Sequence, residues 1–319
     1  MNKRIVLVTG AAGLIGHRVR TLLEGRGDQV IAVDKWESTV EGREVTECDL
    51  TDVHSLHRLT IRYRPDSIIH CGAISGPMVA RDNPHAIFQN NLVGTANILE
   101  LARVYQIRRV VFCSSVSAYG PTPRGPVPED VPLNPSTVYG ATKAAGEQLI
   151  AAYATQHKVD GVSIRLSWVY GPRRQTTCLI RTMLLGALQK RPTRVPSGAD
   201  FYKQYLYVDD AARSLLLALD ATGLKRRTYS VTGDSYLTLG QIAGIIRKII
   251  PAADIEVSPG PDPDDDVQEV FDISAARRDL GYAPQFSIEQ GIKSYRDWLE
   301  ANVVQQSQRK PQTNFNERL

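Results

Sequence analysis

The feature that most constrains the fold is a regular alternation of short apolar runs with longer helical patterns in the first half of the 319-residue chain. Several of the runs are apolar almost throughout, as expected for strands of a parallel sheet whose two faces are both covered by helices. This alternation is typical of a doubly wound α/β sheet. Strands are predicted at 4–9, 29–33, 44–48, 67–71, 109–114 and 162–167, and helices near 14–25, 52–63, 85–105 and 136–157.

The pattern changes after about residue 171, where the loops become longer and richer in proline. Further helices are predicted near 175–190, 210–221, 238–250 and 287–301. We therefore expect a dinucleotide-binding domain over 1–171 and a smaller lobe over 172–304, some of whose elements return to the first domain. The lobe is placed over the carboxyl ends of the strands, where open α/β folds bind ligands. The polar, Gln-rich segment 305–319 is expected to be disordered.

Composition narrows the range of partners. The formal net charge is only +4 and no dense run of Lys and Arg occurs, which argues against nucleic acid. No apolar stretch is long enough to cross a bilayer, and the apolar run after Arg4 is better explained as a strand than as a signal peptide. The four cysteines include no C-x-x-C pair, and His54 and His57 lack a completing ligand set. The prediction is a cytoplasmic protein without a metal site or a membrane partner.

A glycine-rich turn follows the first predicted strand and opens the first predicted helix. Gly10, Gly13 and Gly16 stand where a tight turn and a close approach of the backbone to a pyrophosphate require glycine. Leu14 and Ile15 begin the helix, whose N-terminus attracts the anion. The turn therefore predicts a dinucleotide site.

The second strand is followed by Asp34, whose carboxylate can accept both hydroxyls of an adenosine ribose and would repel a 2′-phosphate. NAD is therefore predicted in preference to NADP. Asp49 and Leu50 close the third strand and either border the adenine or, in the case of Asp49, cap the next helix.

Tyr139 and Lys143 are four residues apart in a predicted helix, so that they share one helix face. A nearby ammonium stabilises a phenolate and makes a Tyr a better base. Ser115 lies at the end of a buried strand, where its hydroxyl can hold the reacting oxygen while Tyr139 exchanges a proton. These three residues are the predicted catalytic groups.

Together these motifs make the chain resemble the extended short-chain dehydrogenase/reductases, in the NAD-dependent epimerase/dehydratase family typified by UDP-galactose 4-epimerase. The resemblance covers residues 3 to about 300, and its matching segments stand in family order. Besides those above, they are His70-Cys71-Gly72-Ala73, Asn91-Leu92-x-Gly94-Thr95, Ser114-Ser115-x-x-x-Tyr119-Gly120, Arg165 through Tyr170-Gly171-Pro172, and Tyr207-Val208-Asp209-Asp210.

The resemblance implies a Rossmann fold and the active-site position for Ser115. It also implies that Lys143 holds the nicotinamide ribose and that the helices near 85–105 and 136–157 form a homodimer. The further residues implied for the cofactor are Cys71, Gly72, Ala73, Asn91, Tyr139, Trp168 and Val169. Ser75 and Ser115 are implied for the substrate, and Trp168 either lines the pocket or fills the core.

Departures from the family pattern bear on the substrate. Dehydratases of the family carry an Asp-Glu pair where this chain has Val116 and Ser117, so dehydration is disfavoured. In family members that act on nucleotide sugars, an Asn and two Arg bind the diphosphate. This chain has Trp168, Lys203 and Pro263 at those positions. Arg173, Arg174 and Lys203 either hold a smaller anion, such as the carboxylate of a sugar acid, or are solvated loop charges.

Three functions follow. The first is an NAD-dependent oxidoreductase acting on a secondary alcohol of a sugar, sugar acid or related hydroxyacid. The second is a sugar epimerase with the same chemistry, and the third is a non-catalytic dinucleotide sensor. Three side features are interpreted as structural: His70 as a satisfied core or cofactor-side imidazole, Asp209 as the cap of the helix at 210–221, and the aspartates of 262–266 as a solvated turn.

Overall fold

The computed structural model describes residues 3–262 and 265–307, with the backbone alone described for 303–307. Its centre is an eight-stranded sheet in the order β11-β7-β6-β5-β1-β2-β4-β3. Seven of these strands run parallel, and β3 pairs antiparallel at one edge. The sheet contains β1 (Ile5–Thr9), β2 (Gln29–Asp34), β3 (Ser38–Val40), β4 (Arg43–Glu47), β5 (Ser67–His70), β6 (Arg109–Ser115), β7 (Gly161–Leu166) and β11 (Thr228–Val231). All six predicted strands are present, and the doubly wound α/β fold is confirmed.

Helices follow the predicted pattern, with boundaries that shift by a few residues. The predicted helix near 85–105 is interrupted by a π-helical turn at Gln89–Val93. The ten α-helices of the described residues are α1 (Leu14–Gly25), α2 (Val53–Tyr63), α3 (Pro84–Phe88), α4 (Gly94–Val104), α5 (Val138–His157), α6 (Leu179–Leu188), α7 (Val208–Asp220), α8 (Leu239–Ile249), α9 (Ser274–Leu280) and α10 (Ile288–Ser307).

Two small sheets complete the second half of the chain. One has the order β12-β10-β8 and contains β8 (Trp168–Tyr170), β10 (Tyr202–Tyr207) and β12 (Tyr236–Thr238). The other pairs β9 (Thr193–Val195) with β13 (Ile255–Val257). Meanwhile β11 returns to the main sheet beside β7. The domain division at residue 171 stays a prediction.

The carboxyl end of the chain differs from the boundary expected. Helix α10 continues to Ser307, so the predicted start of the tail at 305 lies within a helix. Residues 308–319, where most of the predicted disorder falls, lie outside the described residues. Among the described helices, none has the length and apolarity that a membrane span requires.

The sheet has a topological switch point between β1 and β5. Successive strands leave β1 toward β2 and β4 on one side, and leave β5 toward β6 and β7 on the other. The crossover connections therefore diverge at the carboxyl ends of these two central strands, and a crevice opens between them. This is where the predicted glycine turn lies.

Helix α7 packs against α1 on one face of the sheet, and an ion pair fixes the contact. Asp209 accepts two hydrogen bonds from Arg18, at 2.9 and 2.6 Å. The prediction that Asp209 caps this helix is wrong: α7 begins one residue earlier, at Val208, and its N-cap is Tyr207, which makes no side-chain cap. The carboxylate lies one residue inside the helix, where a partner on α1 is in reach.

Candidate functional site

A cleft of about 400 Å³ opens at the switch point, along the carboxyl edge of the sheet. Most of the predicted site residues line it. They are Gly10, Gly13, Leu14, Ile15, Gly16, Asp34, Cys71, Gly72, Ala73, Ser75, Ser115, Tyr139, Lys143, Trp168, Val169, Arg173 and Arg174. Residues separated by up to 164 positions in the chain, from Gly10 to Arg174, thus surround one cavity.

The glycine turn is built so tightly that no side chain fits in it. Gly10 has a φ of +66°, and a Cβ there would lie 2.7 Å from the backbone nitrogen of Gly72, two residues after the neighbouring strand β5 ends. A Cβ on Gly16 would lie 2.1 Å from the carbonyl oxygen of Gly10. Helix α1 begins after Gly13 without a side-chain cap, so its first N–H groups are left for a ligand in the cleft.

Asp34 ends β2 beside this turn. One carboxylate oxygen accepts the Ala12 N–H at 2.9 Å, and the other accepts the Lys35 N–H at 2.7 Å. These two backbone bonds hold the carboxylate at the wall of the cleft. Asp34 and the N-terminus of α1 therefore line the same cleft.

Tyr139, Lys143 and Ser115 meet at the opposite end of the cleft. The Lys143 ammonium donates to the carbonyl oxygen of Cys113 at 2.8 Å and lies 5.8 Å from the centre of the Tyr139 ring. The Tyr139 side chain is buried but lines the cavity. Of the two neighbouring serines, Ser114 donates to Glu147 at 2.5 Å, whereas the Ser115 hydroxyl forms hydrogen bonds, among the described residues, only to the nearby Ser117. Ser115 is therefore the hydroxyl left for a substrate.

A close helix–strand contact brings these groups together. Helix α5 is capped by Thr137, whose hydroxyl accepts the Gly140 N–H at 3.0 Å. A Cβ on Gly140 would lie 2.3 Å from the carbonyl oxygen of Ser117. Only glycine allows the first turn of α5 to approach the segment after β6 this closely. The approach brings the first turn of α5, which carries Tyr139, against the segment that follows Ser115.

Three predicted residues lie behind the cleft and do not line it. The Asn91 side chain binds the N–H and the carbonyl of Ile74, at 2.8 and 3.0 Å, and fixes the backbone that forms one wall. Leu50 packs against Gly72, where a Cβ would come within 2.8 Å of it. Asp49 accepts from the backbone and hydroxyl of Thr51, and α2 is capped by Asp52 instead. The cap alternative for Asp49 is thus wrong.

The interpretation of His70 as a satisfied core residue is confirmed. Its Nδ1 lies 2.7 Å from the Thr9 hydroxyl and its Nε2 lies 3.1 Å from the Thr95 hydroxyl. Since Thr95 donates to the Asn91 carbonyl, Nε2 must donate to Thr95, and Nδ1 accepts from Thr9. Burial lowers the pKa of His70 to about 3, and the Lys143 charge adds to this effect. The imidazole is neutral and ties β5 to β1.

The three predicted anion-binding residues are not equivalent. Arg173 lies toward the glycine turn and contacts Glu41 at 3.4 Å. Burial and then Arg173 lower the pKa of His17 on α1 to about 4. Arg174 donates to the carbonyl oxygens of Val169 and Thr177. Both of these adjacent residues line the cleft.

Lys203 is the third of these residues, and it does not line the cleft. Its ammonium lies 2.6 Å from Asp262 and 3.1 Å from Asp265, and 3.7 Å from the ring centre of Trp168. The side chains of Lys203, Asp262 and Asp265 are only 9%, 13% and 7% exposed. The prediction of a solvated turn is therefore wrong for Asp262 and Asp265, which pair with the ammonium. Pro263 and Asp264, which were also assigned in this segment, lie outside the described residues. Burial raises the pKa of Asp265 to about 6, although Lys203 opposes the shift.

A second cavity of about 360 Å³ adjoins the catalytic end of the cleft. Tyr139 lines both cavities, and the second one is otherwise bordered by Ser136, Asp265, Asp266 and Arg81, among others. The hydroxyl of Ser136 donates to Asp266 at 2.7 Å. The acidic segment thus reaches the edge of the predicted catalytic group.

Ser167 is the main residue of the cleft that the sequence motifs missed. It lies between β7 and β8, is 6% exposed, and its hydroxyl has no hydrogen-bond partner within the described residues. It lines the cleft next to Trp168. No sequence pattern points to it, because its signal is a buried hydroxyl that lacks a partner. Residues 76–80 also line the cleft and were not predicted.

Comparisons with known proteins agree with this geometry. A family model described as the NAD dependent epimerase/dehydratase family matches residues 6–232. A UDP-glucuronate 4-epimerase of Thermodesulfobacterium geofontis is 28% identical, over 93% of this chain and 96% of its own length. A dTDP-glucose 4,6-dehydratase of Neisseria gonorrhoeae is also 28% identical, over 94% and 96%.

Solved structures show the same likeness. A UDP-glucose 4-epimerase of Thermotoga maritima, solved with UDP-glucose, superposes with a TM-score of 0.87 at 25% identity and covers 94% of this chain and 99% of its own. A Thermus thermophilus UDP-glucose 4-epimerase in complex with NAD has a TM-score of 0.82 at 27% identity, covering 92% and 98%.

Proposed function

Because the chain belongs to the NAD-dependent epimerase/dehydratase family, we propose that it transfers a hydride between NAD and a secondary alcohol of a sugar, sugar acid or related hydroxyacid. The observation that carries this proposal is the single cleft that joins the glycine turn and Asp34 to Tyr139, Lys143 and Ser115. A dinucleotide held by the first two would extend toward the last three.

The residues present fit such a cofactor. The uncapped N-terminus of α1 and the turn at Gly10 leave room for a pyrophosphate, where any side chain would collide with Gly72. Asp34 would accept the adenosine ribose hydroxyls, and Lys143 would hold the nicotinamide ribose. When bound, the nicotinamide accepts or returns the hydride.

In the proposed reaction, the Ser115 hydroxyl holds the substrate oxygen and Tyr139 takes its proton as a ketone forms. The reverse direction returns that proton. The Lys143 ammonium, 5.8 Å from the Tyr139 ring, stabilises the negative charge that develops on the phenol oxygen. The unpartnered hydroxyl of Ser167 offers a further hydrogen bond to the bound substrate.

Two related activities are separated by the fate of the ketone. A dehydrogenase releases it with NADH, whereas an epimerase keeps it, lets it turn and returns the hydride. The matched relatives named as epimerases favour the second. The dehydrogenase is favoured because the Lys203 ammonium is already paired with carboxylates and is not available to bind a diphosphate. We place the dehydrogenase first.

Dehydration is the least favoured outcome, even though a dTDP-glucose 4,6-dehydratase is among the relatives. Elimination of water needs an acid and a base beside the reacting carbons. Val116 lines the cleft directly after Ser115 and its side chain cannot carry a proton. A non-catalytic sensor is disfavoured because Tyr139, Lys143 and Ser115 are assembled at the cavity.

The deciding experiment measures absorbance at the NADH band with aldoses, uronic acids, aldonic acids and UDP-sugars, for the wild type and for Tyr139→Phe. The variant is expected to lose about 10²- to 10⁴-fold in kcat while still binding NAD. Tyr153→Phe removes a phenol from the same helix away from the cleft and serves as the control. Full activity in Tyr139→Phe would refute the assigned role. Product isomers without net NADH would identify an epimerase.

We also propose a homodimer formed by the helices α3 to α5. The large apolar side chains exposed there are Phe88, Val104 and Val138, at 43%, 45% and 44%. Light scattering is expected to show a dimer for the wild type and a monomer for Phe88→Asp. Ile61→Asp changes a more exposed apolar side chain on α2, at 58%, and should leave the dimer intact. A monomeric wild type would contradict the proposal.

A further inference from the structure

Arg173 belongs to the second half of the chain but reaches the cofactor end of the cleft. It lies in the loop that joins β8 to α6, and it lines the same cleft as Gly10 and Gly13. Its guanidinium lies 3.4 Å from Glu41, at the tip of the hairpin between β3 and β4. The other oxygen of that carboxylate lies 3.4 Å from His17, in the first turn of α1. One carboxylate thus links Arg173 to the helix end at which a pyrophosphate is expected.

The backbone of Arg173 is held in a conformation that an arginine rarely adopts. Its φ is +71°, in the left-handed region that favours glycine. Such strain persists only where the surrounding structure maintains it, and it is concentrated at ligand-binding segments. The loop therefore keeps this side chain beside the glycine turn against the preference of its own backbone.

Most of the hydrogen-bonding capacity of the Arg173 guanidinium is unused. Among the described residues, its one hydrogen bond is the 3.4 Å contact with Glu41, which is long for a charged pair. Its Nε is buried and has no partner within the described part of the chain. Glu41 is 52% exposed and also pairs with Arg43 at 3.2 Å, so it holds Arg173 weakly. The guanidinium is therefore available to a stronger anion.

Arg174, the next residue in the loop, has different partners. Its two terminal nitrogens donate to the carbonyl oxygens of Val169 and Thr177, and its guanidinium lies 5.9 Å from the centre of the Trp168 ring. Of the two arginines, Arg173 is the one that is linked to α1 through Glu41.

The charge of Arg173 is felt at the first turn of α1. Burial lowers the pKa of His17 to about 4, and Arg173 makes the largest electrostatic contribution to this shift. The imidazole is therefore neutral near pH 7, while the arginine beside it keeps its charge. An anion bound at this helix end would meet the first N–H groups of α1 and the guanidinium together.

We propose that Arg173 binds the pyrophosphate of NAD, and that Glu41 holds the guanidinium beside α1 until the cofactor displaces the carboxylate. The exchange replaces a long, exposed ion pair by charge-assisted hydrogen bonds to phosphate oxygens, which a guanidinium can form in pairs. This inference rests on the proposed function in placing the pyrophosphate at the N-terminus of α1. It assigns Arg173 to the cofactor, whereas the sequence assigned it to a substrate anion or to solvent.

The test is calorimetric titration of the full chain with NAD, which needs no substrate. Arg173→Gln should weaken NAD binding about tenfold, because charge-assisted hydrogen bonds are lost. Glu41→Gln should tighten NAD binding about threefold, because the guanidinium no longer has to leave a carboxylate. Arg194→Gln is the control that should leave the affinity unchanged, because it removes the same charge from an exposed pair with Asp254 in the same half of the chain.

The double variant Arg173→Gln/Glu41→Gln separates direct binding from repulsion, since Arg173→Gln alone also leaves the Glu41 charge near the phosphates. If Arg173 binds the pyrophosphate, the double variant should stay at least about threefold weaker than the wild type. Wild-type affinity in the double variant would overturn the inference, because the guanidinium would then only offset Glu41. Unchanged affinity in Arg173→Gln would also overturn it, and unchanged or weaker binding in Glu41→Gln would overturn the role of Glu41.

If Arg173→Gln does not fold, Arg173→Lys decides alone, because it keeps the charge but loses the planar fork of the guanidinium. A loss of NAD affinity in that variant supports the inference, and no loss refutes it. If the wild type binds NAD but turns over none of the substrates, the proposed hydride transfer fails while this inference stands. If the wild type does not bind NAD, both fail.

Discussion

The two ends of the cleft are built by different means. At the cofactor end, the turn from Gly10 to Gly16 is defined by backbone atoms so close together that side chains are excluded. Behind the proposed substrate end, Lys203 is held against Trp168 by carboxylates about sixty residues farther along the chain. The first arrangement joins residues close in the sequence and depends on the absence of side chains. The second joins residues far apart in the sequence and depends on charge. We therefore expect substitutions at the two ends to change different measured quantities.

The two ends also differ in how protons affect stability. The pKa of His70 at the cofactor end is lowered to about 3, so folding is weakened as the pH falls through 6.5 toward 3. The pKa of Asp265 at the substrate end is raised to about 6, so its contribution is complete below 3.8 and is lost as the pH rises through 6. Between pH 5 and 7, a rise in pH therefore increases the free energy of unfolding through His70 and decreases it through Asp265.

The largest effect is expected for Gly16→Ala. A Cβ there would lie 2.1 Å from the Gly10 carbonyl, so the turn must open and NAD affinity should fall about a hundredfold. Calorimetric titration with NAD measures the loss. Gly25→Ala is the matched control in the same helix, because nothing lies within 4 Å of its Cβ position. Unchanged affinity in Gly16→Ala would show that the cofactor end does not depend on space.

His70→Gln should remove a dependence of stability on acid. In the wild type the neutral imidazole makes the free energy of unfolding fall by about 2 kcal/mol between pH 7 and pH 5, and this part should vanish in the variant. Urea unfolding at the two pH values measures it. His54→Gln, on the exposed side of α2, should keep the wild-type slope. An unchanged slope in His70→Gln would contradict the assigned burial effect.

Asp34→Ser tests cofactor selection. Without the carboxylate, NAD loses an acceptor for its ribose hydroxyls and NADP no longer meets a like charge. The ratio of the two affinities should shift toward NADP by about tenfold. Glu37→Gln removes the same charge from an exposed position nearby and should leave the ratio unchanged. A ratio that does not move in Asp34→Ser would place the ribose elsewhere.

The smallest effect is expected for Asp265→Asn, with a sign opposite to that of His70. Because of this carboxyl group, the free energy of unfolding of the wild type should fall by about 1 kcal/mol as the pH rises from 5 to 7. In the variant this fall should be absent. The same urea experiment detects it. A matching loss in Asp254→Asn, whose carboxylate is exposed, would show that the effect is not due to burial.

Local patterns predicted most of the residues that line the cleft. The glycine turn, Asp34 and the pair Tyr139 and Lys143 are short motifs whose meaning lies in their spacing, and all of them line the cleft. Asn91 and Leu50 were assigned to the cofactor from the same kind of motif, yet they lie one layer behind the cleft. A motif indicates that a residue belongs to a site. It does not show whether the residue lines the cavity or packs behind the residues that do.

The sequence by itself determined the parallel sheet and the backbone-built glycine turn, because strand periodicity and glycine spacing are local properties of the chain. Tertiary structure decided the charge state of the substrate end. The inward fold of Asp262 and Asp265 onto Lys203 and the missing partner of Ser167 depend on contacts and burial between distant segments. Such contacts follow from how elements pack, and no spacing along the chain records them.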